Sequence, residues 1–381
     1  MGFYIVISAI MGILLLLENI GAFSLKTCRN LSYFILVVFF ILSSIRWEVG
    51  TDWDSYYHYF KGGGSIASGW IGDFEIGYRV ATYIVRLFTD NYVVMNTIWA
   101  FSVLVCGLLF VKQIYGTISR NYQNEVTYGQ IKIFRTNSVA LFKSSPMLTI
   151  VACFWFLYFG NIFFTRATLA MVLQLVSIEY AERKQVKKFL LIILLATLIH
   201  RTSIVFLFVY PIINCNWAIF KKFQWFSIFL AGIMAIFGKK IIYYIGAFMP
   251  PSVQYRLKVY SNSFLEVGLF GIINTVILLA LFIMFSYRFA RGNRRYINLV
   301  KIYSFALVPY AVGITFNGYF IRMAYPYMLV QIILIPKCIQ FIKGSAGRFA
   351  VSLLLIIYLC MRLLSNLGTY DVFIPFKTIF C

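Results

Sequence analysis

The run LSYFILVVFFILSS (residues 31–44) is followed almost at once by RWEVGTDWDSYYHYF (residues 46–60). The first run carries no charged side chain, whereas the second gathers three carboxylates, an arginine and several aromatic rings with hydrogen-bonding atoms. An apolar run of this kind predicts a helix in a lipid bilayer, because lipid offers backbone groups no partner outside the helix itself. The polar stretch then marks the mouth of that helix at a membrane surface.

The composition extends this interpretation to the whole chain. Hydrophobic residues make up 61% of the 381 positions and charged residues only 12%, and the mean hydropathy is +0.84. A soluble domain has about half apolar and a quarter charged residues. The sequence therefore predicts an all-α, multi-pass transmembrane protein of about 12 spans in one polytopic domain, residues 1–381. The predicted spans are residues 3–23, 31–45, 91–111, 146–160, 162–181, 187–200, 202–216, 223–238, 267–287, 296–316, 324–342 and 349–366.

The net charge of +22 comes in short basic clusters between apolar runs. A nucleic-acid-binding protein needs one continuous basic surface, whereas membrane proteins concentrate Lys and Arg in cytoplasmic loops. This bias predicts a cytoplasmic loop at 112–145, outer loops at 46–90 and 239–266, and an N-terminus outside. Within the first outer loop, residues 74–90 have the pattern of an amphipathic helix lying at the interface. The paired prolines in MPPSVQYRLKVY (249–260) predict a loop.

Ionisable residues at the outer ends of spans are candidates for function, because burying them in a membrane is costly. Three segments carry them: NIFFTRATLAMVLQ (161–174) with Arg166, LIHRTSIVF (198–206) with His200 and Arg201, and FNGYFIRMAYPY (316–327) with Arg322. Snorkelling toward lipid headgroups is the structural alternative for Arg166. Several outward arginines suggest a ligand with several negative charges, since guanidinium holds phosphate through a two-pronged fork.

The aromatic residues of the outer loop offer flat faces with polar edges, which suit sugar rings. They are Trp53, Tyr56, Tyr57 and Trp70. A belt of tyrosine and tryptophan at the headgroups is the alternative interpretation. The seven cysteines are scattered without metal-ligand or redox spacing, so the sequence predicts no metal and no cofactor.

The motifs together resemble those of the EpsG-like branch of the Wzy family, the O-antigen and exopolysaccharide polymerases of bacteria. The matching pieces are R-x-x-VGTDW-x-x-YY (46–57), E-x-GYR (75–79), TRATLA (165–170), IHRTSIVF (199–206) and IRMAYPY (321–327). Their order and spacing agree across most of the chain. In the family's usual pattern a glutamine often follows the arginine of the third piece, and here Ala167 replaces it.

The resemblance implies a membrane glycosyltransferase of GT-C-like architecture at the periplasmic face of the inner membrane. Such a protein moves a growing chain from undecaprenyl diphosphate to an incoming lipid-linked repeat unit. No cofactor is expected, and a Wzz-type chain-length regulator is the expected partner. The implied general base is Asp52, with His200 as the second candidate. Arginines would hold the diphosphates, first Arg166, Arg201 and Arg322, then Arg46 and Arg256.

Two further roles and two rival functions complete the expectations. Glu75 is assigned to sugar binding with Trp53, Tyr56 and Tyr57, or else to an i,i+4 pair with Arg79 that only holds the outer helix. An O-antigen ligase, or a glycosyltransferase that uses lipid-phosphate sugars, would employ the same residues on a different acceptor. A flippase or transporter would instead need a polar path through the membrane, and mid-span ionisable residues are scarce.

Overall fold

The computed structural model of the protein describes residues 2–50, 52–62, 74–127, 146–158, 165–214, 222–249, 251–262, 269–288, 293–369 and 373–380. Regular structure in these ranges is helical apart from one isolated β-bridge, which confirms the predicted all-α class for them. The chain divides into two compact units. The first unit comprises Met1–Val176, Leu194–Arg201 and Ile335–Cys381, and the second comprises Ser177–Ile193 and Thr202–Leu334.

The helices follow one another along the chain with short connections. They are α1 (Gly2–Ile20), α2 (Leu25–Ile45), α3 (Trp53–Lys61), α4 (Ile76–Arg86), α5 (Tyr92–Thr127), α6 (Met147–Leu157), α7 (Thr165–Glu182), α8 (Val186–Ile199), α9 (Val209–Asn214), α10 (Phe223–Ala247), α11 (Pro251–Asn262), α12 (Leu269–Arg288), α13 (Arg294–Phe305), α14 (Leu307–Thr315), α15 (Tyr325–Met328), α16 (Gln331–Gln340) and α17 (Ser345–Thr369), with 3₁₀ helices at Arg201–Phe208 and Gly318–Met323.

In the first unit α1 packs against α6 and α17, and α2 packs against α5 and α6. Trp155 of α6 is fully buried at their meeting point. Its ring stacks on Phe39 of α2 at 5.4 Å, and its indole N–H donates to the Ser8 hydroxyl of α1 at 3.0 Å. Large apolar side chains thus join these helices, while the indole N–H, costly to bury alone, has a partner.

A buried carboxylate joins the end of α1 to the start of α6. Glu18 accepts the backbone N–H groups of Leu148 at 2.9 Å and Thr149 at 2.6 Å, and the Thr149 hydroxyl at 2.7 Å. The first N–H groups of a helix have no partner within it, and a negative charge there is favourable. Glu18 therefore acts as the N-terminal cap of α6, a role supplied from a different helix.

The C-terminal segment closes the opposite end of α1 and α2. Thr378 forms the isolated antiparallel bridge with Arg46, and the Ile379 N–H donates to the Ile45 carbonyl at 2.9 Å. The Tyr4 hydroxyl donates to the Phe373 carbonyl. These bonds anchor residues 373–380 beside the polar stretch that follows α2.

The second unit is centred on α13, which contacts α9, α10, α12 and α14. Asn293 caps α13 by accepting the Tyr296 N–H at 2.9 Å. Tyr303, fully buried, packs edge-on against Phe282 at 5.0 Å. Alongside, α10 lies so close to α14 that a Cβ on Gly238 would come 2.8 Å from the Thr315 hydroxyl.

In the described part of the chain, six helices are long and apolar enough to cross a membrane. They are Gly2–Ile20, Leu25–Ile45, Tyr92–Ile114, Phe223–Ala247, Arg294–Thr315 and Ser345–Ser365. Three shorter apolar helices, Met147–Leu157, Arg201–Asn214 and Ile273–Arg288, fall on other segments that the sequence predicts to be spans. The protein is thus an all-helical membrane protein.

Helix boundaries differ from the sequence predictions at two loops. The segment predicted as a loop at 249–260 forms α11 from Pro251 onward, because a proline in the first turn of a helix lacks an N–H that would have had no partner anyway. Helix α5 continues past the predicted span end at 111 to Thr127, so the first part of the predicted cytoplasmic loop is helical.

The predicted amphipathic segment 74–90 does contain a helix, α4, at Ile76–Arg86. The apolar side chains Val80, Leu87 and Phe88 are exposed. Tyr78 and Thr82, on the other side, are buried. Such an exposed apolar face is typical of a helix that lies on a membrane.

Candidate functional site

Glu75 stands at the N-terminal end of α4 with an extended backbone, and only 9% of the residue is exposed. Gly77 lets this corner approach the C-terminal end of α8. A Cβ on Gly77 would lie 2.6 Å from the Leu198 carbonyl oxygen, closer than any side chain allows. The Glu75 carboxylate is thereby brought to the point where α8 ends and His200 and Arg201 begin.

Three cationic or ionisable side chains meet on the Glu75 carboxylate. Arg166, in the first turn of α7, donates from Nη1 to Oε2. Arg201 donates its backbone N–H to Oε1 at 3.1 Å, and its Nε lies 3.5 Å from the same oxygen. His200 places Nδ1 3.6 Å from Oε1. One carboxylate therefore links segments that lie far apart along the chain.

Aromatic rings surround the Arg166 guanidinium. Its central carbon lies 5.2 Å from the ring centre of Tyr56, 5.3 Å from that of Phe74 and 5.6 Å from that of Tyr78. A cation over such ring faces is stabilised electrostatically, and the more so when desolvated. Burial raises the pKa of the Tyr56 hydroxyl, and the adjacent Arg166 partly opposes this shift. Both phenols thus stay neutral donors beside the guanidinium, since burial raises the pKa of Tyr78 as well.

The charges of this cluster do not cancel. With a neutral imidazole, the two guanidinium groups of Arg166 and Arg201 face the single carboxylate of Glu75, which leaves one positive charge. The side chains of His200 and Arg201 are 29% and 46% exposed, whereas those of Glu75 and Arg166 are 7% and 11% exposed. The cluster therefore presents a buried, rigid base with an accessible cationic edge, which suits an anionic ligand.

Arg46 is placed differently from Arg166. It is 2% exposed, donates from Nη1 to the Val49 carbonyl at 3.1 Å and from Nη2 to the Asn96 side chain at 3.3 Å. Asn96 in turn donates to the Ser43 carbonyl at the end of α2. Burial lowers the pKa of Arg46. These contacts tie the polar stretch to α2 and α5 and favour a structural role for this arginine.

Asp52 is exposed and sits directly before α3, where the Tyr56 N–H donates to its backbone carbonyl at 3.1 Å. Its negative charge acts on both Arg46 and Tyr56, so Asp52 belongs to the same end of the first unit. The Trp53 ring, 5% exposed, stacks on Tyr57 at 4.9 Å. Trp53 and Tyr56 are core residues here, and Tyr57 is only half-buried.

The remaining arginines named from the sequence belong to the second unit. Arg322 is exposed in the 3₁₀ helix Gly318–Met323. Arg256 falls within α11, but its side chain lies outside the described residues, as does Trp70. Among the described residues there is no group of three His, Cys, Asp or Glu side chains that could hold a metal ion.

Sequence reasoning identified Arg166, His200 and Arg201 but gave Glu75 a secondary role. The signal that could have corrected this is the spacing in FEIGYR (74–79), where a glycine follows the acid after one residue. A glycine inside the first turn of a helix indicates close approach of another backbone. The aromatic neighbours Phe74 and Tyr78 flank the same motif.

No curated protein and no solved structure matches this chain. The model of the EpsG family matches residues 29–378, nearly its whole length. The match covers every segment of the site, from the polar stretch after α2 to the C-terminal bridge. The protein belongs to the EpsG family, a family of Wzy-type polymerases.

Proposed function

We propose that the protein is a glycosyltransferase that polymerises a bacterial polysaccharide, an O-antigen or an exopolysaccharide. It transfers the growing chain from undecaprenyl diphosphate to an incoming lipid-linked repeat unit. Membership of the EpsG family supports this activity. The single structural observation that carries it is the meeting of Arg166, Arg201 and His200 on the buried carboxylate of Glu75.

The proposed reaction forms one bond and breaks one. The acceptor hydroxyl oxygen attacks the anomeric carbon that bears the diphosphate, and a base takes the hydroxyl proton. The bond from that carbon to the diphosphate oxygen breaks, and its electron pair leaves with the diphosphate. Negative charge grows on the leaving group, so fixed guanidinium groups stabilise the transition state more than the ground state. Arg166 and Arg201 are the proposed donors.

The geometry favours His200 over Asp52 as the base. Imidazole accepts a proton near neutral pH without a metal ion, and His200 lies within the arginine cluster. Asp52 stands in front of α3, exposed to solvent, and remains the second proposed base.

Other residues of the sequence-based proposal keep supporting roles. Arg322 and Arg256 are proposed second contacts to diphosphate, and Arg46 a residue that positions the outer stretch. For sugar binding, the half-buried Tyr57 is the most accessible of the rings, and Trp53 and Tyr56 are proposed to shape the site from beneath.

We further propose about twelve spans in one GT-C-like polytopic domain of the cytoplasmic membrane, with the site on the periplasmic side. The ends of α1 support this orientation. Its first turn contacts the C-terminal segment, which bridges to Arg46. Its last turn meets the start of α6, where Lys26 and Arg29 follow along the chain. The basic end is the one expected in the cytoplasm, so the site lies at the outer end. A Wzz-type regulator is the proposed partner, and no cofactor is required.

The experiment is polymer formation from purified lipid-linked repeat units by the purified protein in liposomes. We expect long chains and released lipid diphosphate. Transfer only to lipid A or to protein would identify a ligase, use of a lipid monophosphate sugar would identify the other glycosyltransferase, and translocation without bond formation would identify a flippase. In cells, deletion should leave single repeat units, and ladders of normal length would refute the polymerase.

Arg166→Lys tests the site within that assay. Lysine keeps the charge and the ability to snorkel but loses the planar fork. Loss of one transition-state contact costs about 10²–10³ in rate, so turnover should fall by that factor at an unchanged protein level. Lys61→Arg, a matched exchange in the same outer region, should leave turnover unchanged.

A further inference from the structure

We propose that Glu75 is a positioning residue for this transfer, an inference that rests on the proposed function. Its carboxylate joins Arg166 and Arg201 into one anion site and sets which nitrogen of His200 accepts the proton. Glu75 itself touches neither the acceptor nor the diphosphate. It acts through the three side chains that it holds.

The contacts of the two carboxylate oxygens divide this work. Oε2 takes the Arg166 guanidinium, which the Tyr56, Phe74 and Tyr78 rings hold from their own side. Oε1 takes the Arg201 backbone N–H at 3.1 Å. That bond fixes the main chain at residues 200 and 201, so it orients both side chains at once.

The position of Nδ1 determines the chemistry of His200. Nδ1 lies 3.6 Å from Oε1, and the Arg201 Nε lies 3.5 Å from the same oxygen. A carboxylate beside one ring nitrogen favours the tautomer with the proton on that nitrogen. Nε2 then carries the lone pair, which is the form that a general base needs. Distances slightly beyond a hydrogen bond are common before substrate closes a site.

Gly77 provides an independent handle on the same arrangement. A methyl group there would lie 2.6 Å from the Leu198 oxygen and 3.0 Å from the Leu198 carbonyl carbon, both backbone atoms that cannot rotate away. Gly77→Ala would therefore push the Glu75 corner off the end of α8 without changing any charge. Gly232, in α10, has nothing within 4 Å of its Cβ position, so Gly232→Ala is the matched control.

The decisive variant is Glu75→Gln, which keeps the shape and removes the charge. We expect kcat for lipid-linked repeat units to fall about 10²-fold, the usual cost of misplacing reacting groups by about 1 Å. Removing the anion leaves two uncompensated guanidinium groups, so inorganic pyrophosphate should bind about two- to fivefold more tightly. A merely structural residue would lower the amount of folded protein and leave pyrophosphate affinity unchanged. Glu75→Asp should recover part of kcat.

The matched charge control is Glu48→Gln. Glu48 pairs with Lys377 at 2.8 Å on the same end of the first unit, but both side chains are about half exposed. This variant makes the same change in net charge away from the cluster. It should leave kcat and pyrophosphate affinity within twofold of wild type, and a shift as large as that of Glu75→Gln would overturn the proposal.

The outcomes separate this proposal from the proposed function. If wild type polymerises and Glu75→Gln matches Glu48→Gln in kcat and pyrophosphate affinity, the role of Glu75 is refuted and the polymerase stands. If wild type forms no polymer, the function is refuted, and equilibrium binding of labelled pyrophosphate still tests the counter-charge. If Glu75→Gln and Gly77→Ala both fail to give folded protein in detergent while the controls fold, the cluster serves stability and the proposal is refuted.

Discussion

The pair Arg166–Glu75 allows a stability prediction that can be worked from burial alone. The side chains are 11% and 7% exposed, so their interaction is only weakly screened by water. Removing one partner of a buried pair costs about 3–5 kcal/mol, because the other charge stays buried without compensation. Glu75 keeps the Arg201 N–H, which places Arg166→Met at the lower end, about 3 kcal/mol.

A double-mutant cycle isolates the pair. Glu75→Gln leaves Arg166 over three rings and should cost about 2 kcal/mol. In the double variant no unpaired charge remains at this pair, and methionine packs well against aromatic rings. We therefore expect the double variant to cost about 3 kcal/mol instead of the additive sum of about 5, a coupling of about 2 kcal/mol.

The measurement is the apparent Tm of purified protein in detergent, at about 2 °C per kcal/mol for a chain of this size. Arg166→Met should lower Tm by about 6 °C, and the double variant by about the same amount. The control cycle uses Glu48→Gln and Lys377→Met, whose side chains are 48% and 46% exposed, and its coupling should stay below about 1 kcal/mol. Additive losses at Arg166 and Glu75 would refute the reasoning that this pair is buried and coupled.

Other perturbations test the structural bonds and the orientation. Glu18→Ala leaves the first N–H groups of α6 without their carboxylate, so apparent Tm should fall by an amount equivalent to about 1–3 kcal/mol; an unchanged Tm would contradict the cap. Arg46→Lys removes a fork that bonds a carbonyl and an amide, so a loss of about 2 kcal/mol is expected, and wild-type stability would show that Arg46 is not a structural tie. In a cysteine-free background, an impermeant maleimide should label position 64 but not position 128 in intact spheroplasts; labelling of 128 from outside would reverse the predicted topology.

The helical, lipid-embedded character of the chain was predictable from the sequence because it depends on sums over many residues. Each long apolar run, such as residues 31–44, requires lipid or protein around it, and lipid permits only internally bonded backbone. The exposed apolar face of α4 was predictable for the same reason, since a periodic pattern fixes which residues share a side. Helix ends were less predictable. Pro251 starts a helix that the pattern assigned to a loop.

The arginines show where sequence reasoning reached its limit. Arg46 and Arg166 both follow or precede apolar runs and carry the same side chain. Tertiary packing gives one of them backbone and amide acceptors at the base of the outer stretch, and gives the other a carboxylate and three rings. Likewise, no pattern distinguished the buried Trp53 and Tyr56 from the half-buried Tyr57, because burial depends on neighbours such as Tyr78 and Tyr92 that come from other helices.

The sequence by itself determined the class of the protein, the helices at its membrane and the positions at which ionisable residues meet them. Only the tertiary structure decided which of those residues act together. Glu75 lies 91 positions from Arg166 and 126 positions from Arg201 along the chain, and the glycine at position 77 allows the approach that unites them. Electrostatic interaction depends on distance in space and on exclusion of water, and both are properties of the folded chain.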